Sequence, residues 1–133
     1  MNNKLKKYLS QKKSSSFSEL LFSYIDKKGL TDSKVYKKVS MDRKLFSKIR
    51  CNENYIPKKD NIIKLSLSLS LKKHEIDELL YSAGYSFCTN NNFDLVILFC
   101  IENNIYDINV VNDYLYTFTN AGLNLWCWFF CLF

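Results

Sequence analysis

The chain has 133 residues, of which 47% are hydrophobic and 16% are aromatic, whereas it has only 3 glycines and 1 proline. This length fits one domain with a real core, and the shortage of turn-forming residues excludes a turn-rich β-sandwich. We therefore expect an all-α protein. Its net charge of +6 is unevenly spread, because residues 1–60 hold sixteen Lys/Arg against six Asp/Glu and residues 61–133 hold three against seven.

This charge division predicts that the first half of the chain faces a polyanion. The alternative is that the lysines only keep the protein soluble. The five cysteines show no Cys-x-x-Cys spacing, and His74 is far from all of them, so we expect reduced thiols in a cytoplasmic protein and no metal. No signal peptide and no run of roughly 20 apolar residues is present, which argues against a membrane partner.

An enzyme is not expected either. The sequence has no glycine-rich phosphate loop, no Ser/His/Asp order and no pair of carboxylates in an apolar setting. His74 lies among charged residues, as a solvated surface histidine does. We expect no catalytic residue and no cofactor.

Residues 1–16 combine five lysines with a serine tract and little apolar content. That composition predicts a flexible basic leader. It is either an arm that follows phosphates beside a DNA-binding module or an inert linker.

A helical period begins after residue 17 and gives a first helix that Gly29 ends. Thr31 or Asp32 caps a second helix, and after a turn at Ser40 and Met41 a third helix follows. The third helix has Asp42 as its cap and turns Phe46 and Ile49 inward. Four cations are left on its outer surface, which is more than a solvated helix of mixed charge carries: Arg43, Lys44, Lys48 and Arg50.

Two more helices are predicted over residues 60–71 and 72–84. The alternation of Leu65, Leu67, Leu69 and Leu71 is typical of a strand, but the same residues also form a wide helical stripe between helical neighbours. We therefore predict a helix there. Gly84 ends the fifth helix.

Residues 87–119 predict about two additional helices that serve packing or dimerisation. Residues 93–101 are nearly all apolar, which favours a helix packed on two sides, in the core or against a second copy. Asp107 caps the next helix, whose inward residues are Ile108, Val111, Leu115 and Phe118. The apolar tail at 120–133 is either buried in an interface or an aberrant end, such as a frameshifted terminus.

The stretch from Thr31 to Pro57 resembles the helix-turn-helix of the lambda-repressor-like family, also called the Cro/C1 or XRE type. The resemblance extends to residues 17–86 and implies a five-helix domain that binds duplex DNA. We expect the last helices to make a homodimer that sets the spacing of the DNA half-sites. The family's pattern is matched by these residues: Leu30-Thr31, Val35-Tyr36, Val39-Ser40-Met41-Asp42, Phe46-Ser47, Ile49-Arg50 and Pro57.

The resemblance also implies roles for individual residues. Bases are contacted by residues whose chemistry suits guanine acceptors, namely Arg43, Lys44 and Lys48. The DNA backbone is contacted at positions that flank the two helices, namely Thr31, Asn52, Lys58 and Lys59.

Three residues depart from the family pattern. Tyr36 replaces a small residue between the two helices, Leu45 stands at a position that often faces bases, and Arg50 replaces a common Glu. Two functions therefore stay open. The first is a bacterial or phage transcriptional regulator, and the alternative is a protein- or RNA-binding interaction module in phage or mobile-element defence or counter-defence.

A second resemblance covers most of residues 17–118. The run FSELLFSYIDKKGLTDSKVYKK and its continuation are similar to a helical module found in bacteria alone or C-terminal to macro domains. This resemblance implies that the leader is the remnant of an interdomain linker. It implies no biochemical role.

Overall fold

The computed structural model describes residues 2–123, and the described residues form eight α-helices and no β-strand. The all-α prediction is confirmed, as are the predicted helices from residue 17 onward. In chain order the helices are α1 (Asn2–Lys12), α2 (Phe17–Lys28), α3 (Asp32–Lys38), α4 (Arg43–Cys51), α5 (Lys59–Ser68), α6 (Lys73–Ser82), α7 (Asn92–Glu102) and α8 (Ile108–Thr119).

Helix α5 lies at the centre of the protein. Residues 62–68 are all buried, and α5 packs against α3, α6 and α8. Leu65 and Leu67 are therefore buried because α5 is covered on several sides, and Leu69 and Leu71, which follow the last residue of α5, are buried as well. The two buried serines between them are hydrogen-bonded: Ser66 donates to the carbonyl of Ile62 at 2.8 Å and Ser68 to that of Val35 on α3 at 2.6 Å.

Five helix ends reverse the chain in the same way. A residue with positive φ follows the helix, and the next residue, which is apolar or aromatic, donates its amide to a carbonyl five positions back. The two glycine stops predicted from sequence belong to this set. The residues with positive φ at these ends are Gly29, Ser40, Ser70, Gly84 and Asn104.

Side-chain bonds attach the outer helices to this centre. The hydroxyl of Tyr24 on α2 donates to the carboxylate of Glu78 on α6 at 3.0 Å. Burial of the hydroxyl, which has the larger effect, and this hydrogen bond together raise the pKa of Tyr24 to about 12. The α7–α8 pair is held by Lys59 at the start of α5, whose ammonium lies 2.6 Å from the buried carboxylate of Asp94. The same carboxylate accepts from the amide of Cys88 at 2.7 Å. Asp94, the one charge in the apolar run of residues 93–101, is thus an anchor for α7.

The structure corrects one expectation about packing, that for Phe118, and the predicted apolar tail lies mostly outside the described residues. The leader at 1–16, predicted as flexible, contains α1, which buries none of its residues. Phe118 was predicted to point inward, but its side chain is 65% exposed. This is because α8 turns it toward α7 and away from the core. The apolar tail is described only up to Leu123, so residues 124–133 lie outside the described range.

None of the helices in the described range combines the length and the apolar character that crossing a bilayer requires.

The pair of Lys59 and Asp94 predicts an asymmetric loss of stability. The side chain of Asp94 is 3% exposed and that of Lys59 is 26% exposed. Lys59→Met leaves a buried carboxylate without its cation, so we expect a loss of about 3 kcal/mol in the free energy of unfolding. Asp94→Asn leaves a lysine that can turn to water, and we expect a loss of about 1 kcal/mol. Urea denaturation measures both, and equal losses would contradict this account.

Lys64 predicts a gain of stability on substitution. It is buried within α5, and burial lowers its pKa from the ordinary value of 10.5 while Asp60 opposes that change. The unfolded chain therefore binds more protons than the folded one between the lowered pKa and 10.5, and the free energy of unfolding rises with pH across that window.

We expect Lys64→Met to stabilise the protein at pH 7 by about 1 kcal/mol. Its advantage over the wild type should shrink as the pH approaches 10.5. Denaturation curves of the two proteins from pH 7 upward check both points. A constant difference would show that burial of the charge is not the cause.

Candidate nucleic-acid interface

Helices α3 and α4 are joined by the short link Val39–Asp42, a length typical of a helix-turn-helix. Within it Ser40 has a φ of 52°, a backbone conformation that glycine adopts most readily. Met41 then donates its amide to Tyr36 at 2.9 Å. Val39 and Met41 are both buried, so the turn is fixed against the core from both sides of Ser40.

The starts of both helices are capped as predicted. Thr31 accepts from the amide of Lys34 at 3.3 Å, and Asp42 accepts from that of Lys44 at 3.2 Å. Caps of this kind stabilise a helix by about 1 kcal/mol. They set where each helix begins and hence which side chains of α4 face outward.

The inner face of α4 packs on an aromatic cluster. Phe46 lies 5.3 Å from the ring of Tyr36 and 6.0 Å from that of Phe22, measured between ring centroids. Ser18 of α2 also donates to the carbonyl of Ile49 at 3.2 Å. Tyr36, which departs from the family pattern, therefore fills the space between α3 and α4 with an aromatic contact.

The outer face of α4 carries the three residues predicted to contact bases. Arg43, Lys44 and Lys48 are all exposed. The four-residue spacing of Lys44 and Lys48 places them on one side of the helix, next to Arg43. In the described part of the chain none of the three forms a salt bridge. The structure thus brings these three together as an unpaired cationic surface.

Arg50, the fourth cation of α4, has a different role. Its guanidinium bonds the carboxylate of Asp32 on α3 in two places, at 2.6 and 2.7 Å, and lies 3.9 Å from the ring centroid of Phe22 on α2. A two-point Arg–carboxylate pair fixes geometry as well as charge. Arg50 therefore holds α4 against α3 and α2. The pairing could not be predicted from the sequence, because the two residues are 18 positions apart and no local pattern links them.

The four residues predicted to contact the DNA backbone divide into two groups. Thr31, Asn52 and Lys58 are exposed at helix ends, and the side chain of Asn52 also accepts from the amide of Asn54 at 3.0 Å. Lys59 instead bonds Asp94. The structure gives Lys59 an internal role, and it does not join the exposed set.

Leu45 was expected to face bases or a protein surface. The structure places it half-buried against the core, so its side chain supports α4 and is not fully presented to a ligand. The described residues contain no group of His, Cys, Asp and Glu that could hold a metal ion. The cationic face of α4 is therefore the surface with the clearest binding chemistry in this half of the chain.

Comparisons with protein-family models, curated proteins and solved structures find no match for this chain.

Proposed function

We propose that the protein is a sequence-specific DNA-binding regulator of the helix-turn-helix type that acts as a homodimer in the cytoplasm, with a lambda-repressor-like arrangement of α2–α6. The observation that carries this proposal is the outer face of α4. Arg43, Lys44 and Lys48 are exposed and unpaired there among the described residues, on a capped helix that follows a four-residue turn.

The dimensions and chemistry of this face suit duplex DNA. The major groove admits an α-helix, and a helix-turn-helix places the start of its second helix against base edges. Arg43 is at that start, where its guanidinium can bond guanine O6 and N7 together. Lys44 and Lys48 supply further donors to guanine or to a phosphate.

Neighbouring residues supply contacts that position the helix without selecting sequence. Three exposed lysines lie on α3, namely Lys34, Lys37 and Lys38. Thr31, Asn52 and Lys58 lie at the ends of α3, α4 and α5, where hydroxyl, amide and ammonium groups suit phosphate oxygens. Lys59 is left out because its ammonium is held by Asp94.

The alternative function is binding of RNA or of a protein. The observation that favours a protein partner is an apolar groove between α7 and α8, in the half of the chain where acidic residues outnumber basic ones. Such grooves on otherwise polar surfaces mark interaction sites. If α4 instead binds a protein or an RNA, the protein should show no preference for any duplex DNA sequence.

The regulator proposal predicts which substitutions weaken DNA binding. A duplex selected by the protein from a random library is titrated by fluorescence anisotropy at several salt concentrations. Arg43→Ala should weaken binding about fivefold or more, about 1–3 kcal/mol, and relax the preference at one base pair. Lys44→Ala should also weaken binding, and a smaller salt dependence would mark it as a phosphate contact.

Lys73→Ala and His74→Ala are the matched controls. Both residues are exposed on α6, and Lys73→Ala removes the same charge as Lys44→Ala, so neither should change affinity beyond twofold. The proposal fails if no duplex is enriched from the library, or if Arg43→Ala and Lys44→Ala bind as tightly as these controls. Enrichment of an RNA over every duplex would favour the alternative.

A further inference from the structure

The groove between α7 and α8 is apolar and has no partner among the described residues. It holds about 400 Å³ and is lined by Asn92, Leu95, Val96, Phe99, Tyr114 and Phe118. Leu95 is 42% exposed, Phe99 51% and Phe118 65%. The ring of Phe99 meets that of Tyr114 edge to face at 6.1 Å, so the two helices present one continuous aromatic surface.

The surroundings of the groove are acidic. Neither α7 nor α8 contains a lysine or arginine. Asp113 borders an adjoining depression that shares Tyr114 and Phe118 with the groove, and Glu102 is exposed at the end of α7. A ligand for this surface should therefore combine apolar side chains with positive charge.

Helix α1 has the complementary character. Leu5, Tyr8 and Leu9 are 55%, 58% and 56% exposed, and their spacing of three and four residues puts them on one face. The rest of α1 contains four lysines and no acidic residue. An isolated helix of fewer than about 12 residues is marginal in water, so this 11-residue helix lacks the burial that would stabilise it.

We propose that α1 of one copy lies in the α7–α8 groove of a second copy, and that the exchange is reciprocal. An amphipathic helix enters an apolar groove through anchors spaced three and four residues apart, as Leu5, Tyr8 and Leu9 are. Its lysines then lie beside the carboxylates around the groove. A reciprocal exchange closes into a two-fold dimer, so both copies have α1 and the groove covered.

The position of α1 in its own chain favours a second copy as the occupant. The end of α1 lies beside Glu53 and Asn54, in the loop after α4. The groove is formed instead by the last two described helices. Only residues 13–16 connect α1 to α2, and four residues span at most about 14 Å. This short connection keeps α1 near the start of α2 in its own chain, which favours the groove of a second copy.

The area available is also adequate for a dimer. A large apolar or aromatic side chain has roughly 150–250 Å² of surface, and about half of it is exposed at the three anchors and at Leu95, Phe99 and Phe118. Two reciprocal contacts therefore bury on the order of 1,000 Å², close to the lower end of stable interfaces.

The test measures the mass of the full chain by sedimentation velocity, without DNA, so its result does not depend on the proposed regulator function. The wild type should be a dimer. Leu5→Gln with Leu9→Gln, and separately Phe118→Gln, should each weaken dimerisation tenfold or more. Tyr81→Gln is the matched control, because Tyr81 is 79% exposed on α6 outside both surfaces, and it should leave the dimer intact.

Mixing the two defective proteins gives the decisive result. The α1 variant retains an intact groove and the Phe118 variant an intact α1, so their heterodimer has one intact contact whereas each homodimer has none. Where each substitution abolishes the contact it affects, an equal mixture should form a heterodimer more readily than either protein alone associates. Circular dichroism confirms that both variants are folded. The proposal is overturned if the wild type is monomeric, if the mixture does not associate, or if only the Phe118 variant loses the dimer, which would mean that α7–α8 surfaces pair with each other.

Discussion

The structure depends on the burial of α5. Residues 62–68 are all removed from solvent, and three helices pack around them. One of these is α3, whose carbonyl at Val35 accepts from Ser68 inside the core. Because α3 is fixed in this way, the turn and α4 that follow it have a defined orientation relative to α3 and α5. The exposed cations of α4 are therefore presented by a rigid element, which is what a sequence-reading helix needs.

Two of the basic residues in the first half of the chain serve the fold. Arg50 bonds Asp32 and lies on Phe22, while Lys59 bonds Asp94 across the boundary between α5 and α7. Of the four cations on α4, three are thus left without a salt bridge among the described residues, and they lie on the helix that follows the exposed lysines of α3. Local charge counts overstate a binding surface when some of the cations are committed to internal carboxylates.

The features that could be predicted from the sequence are those set by residues close together along the chain. Helical periodicity, caps at Thr31, Asp42 and Asp107 and the glycine stops gave the helices from residue 17 onward, and all are present. The roles of Arg50 and Lys59 could not be predicted, because their partners are 18 and 35 positions away. Phe118 follows the apolar spacing of α8, but its side chain faces the groove with α7 and not the core, so periodicity alone placed it wrongly.

The repeated helix endings have a consequence for how the chain folds. Five of them close through hydrogen bonds that span only five residues, so each chain reversal can form before distant segments meet. Helical proteins with such local contacts fold within microseconds to milliseconds, since little loop entropy is lost before contacts form. The late steps are those that join distant segments, above all the docking of α7–α8 by Asp94.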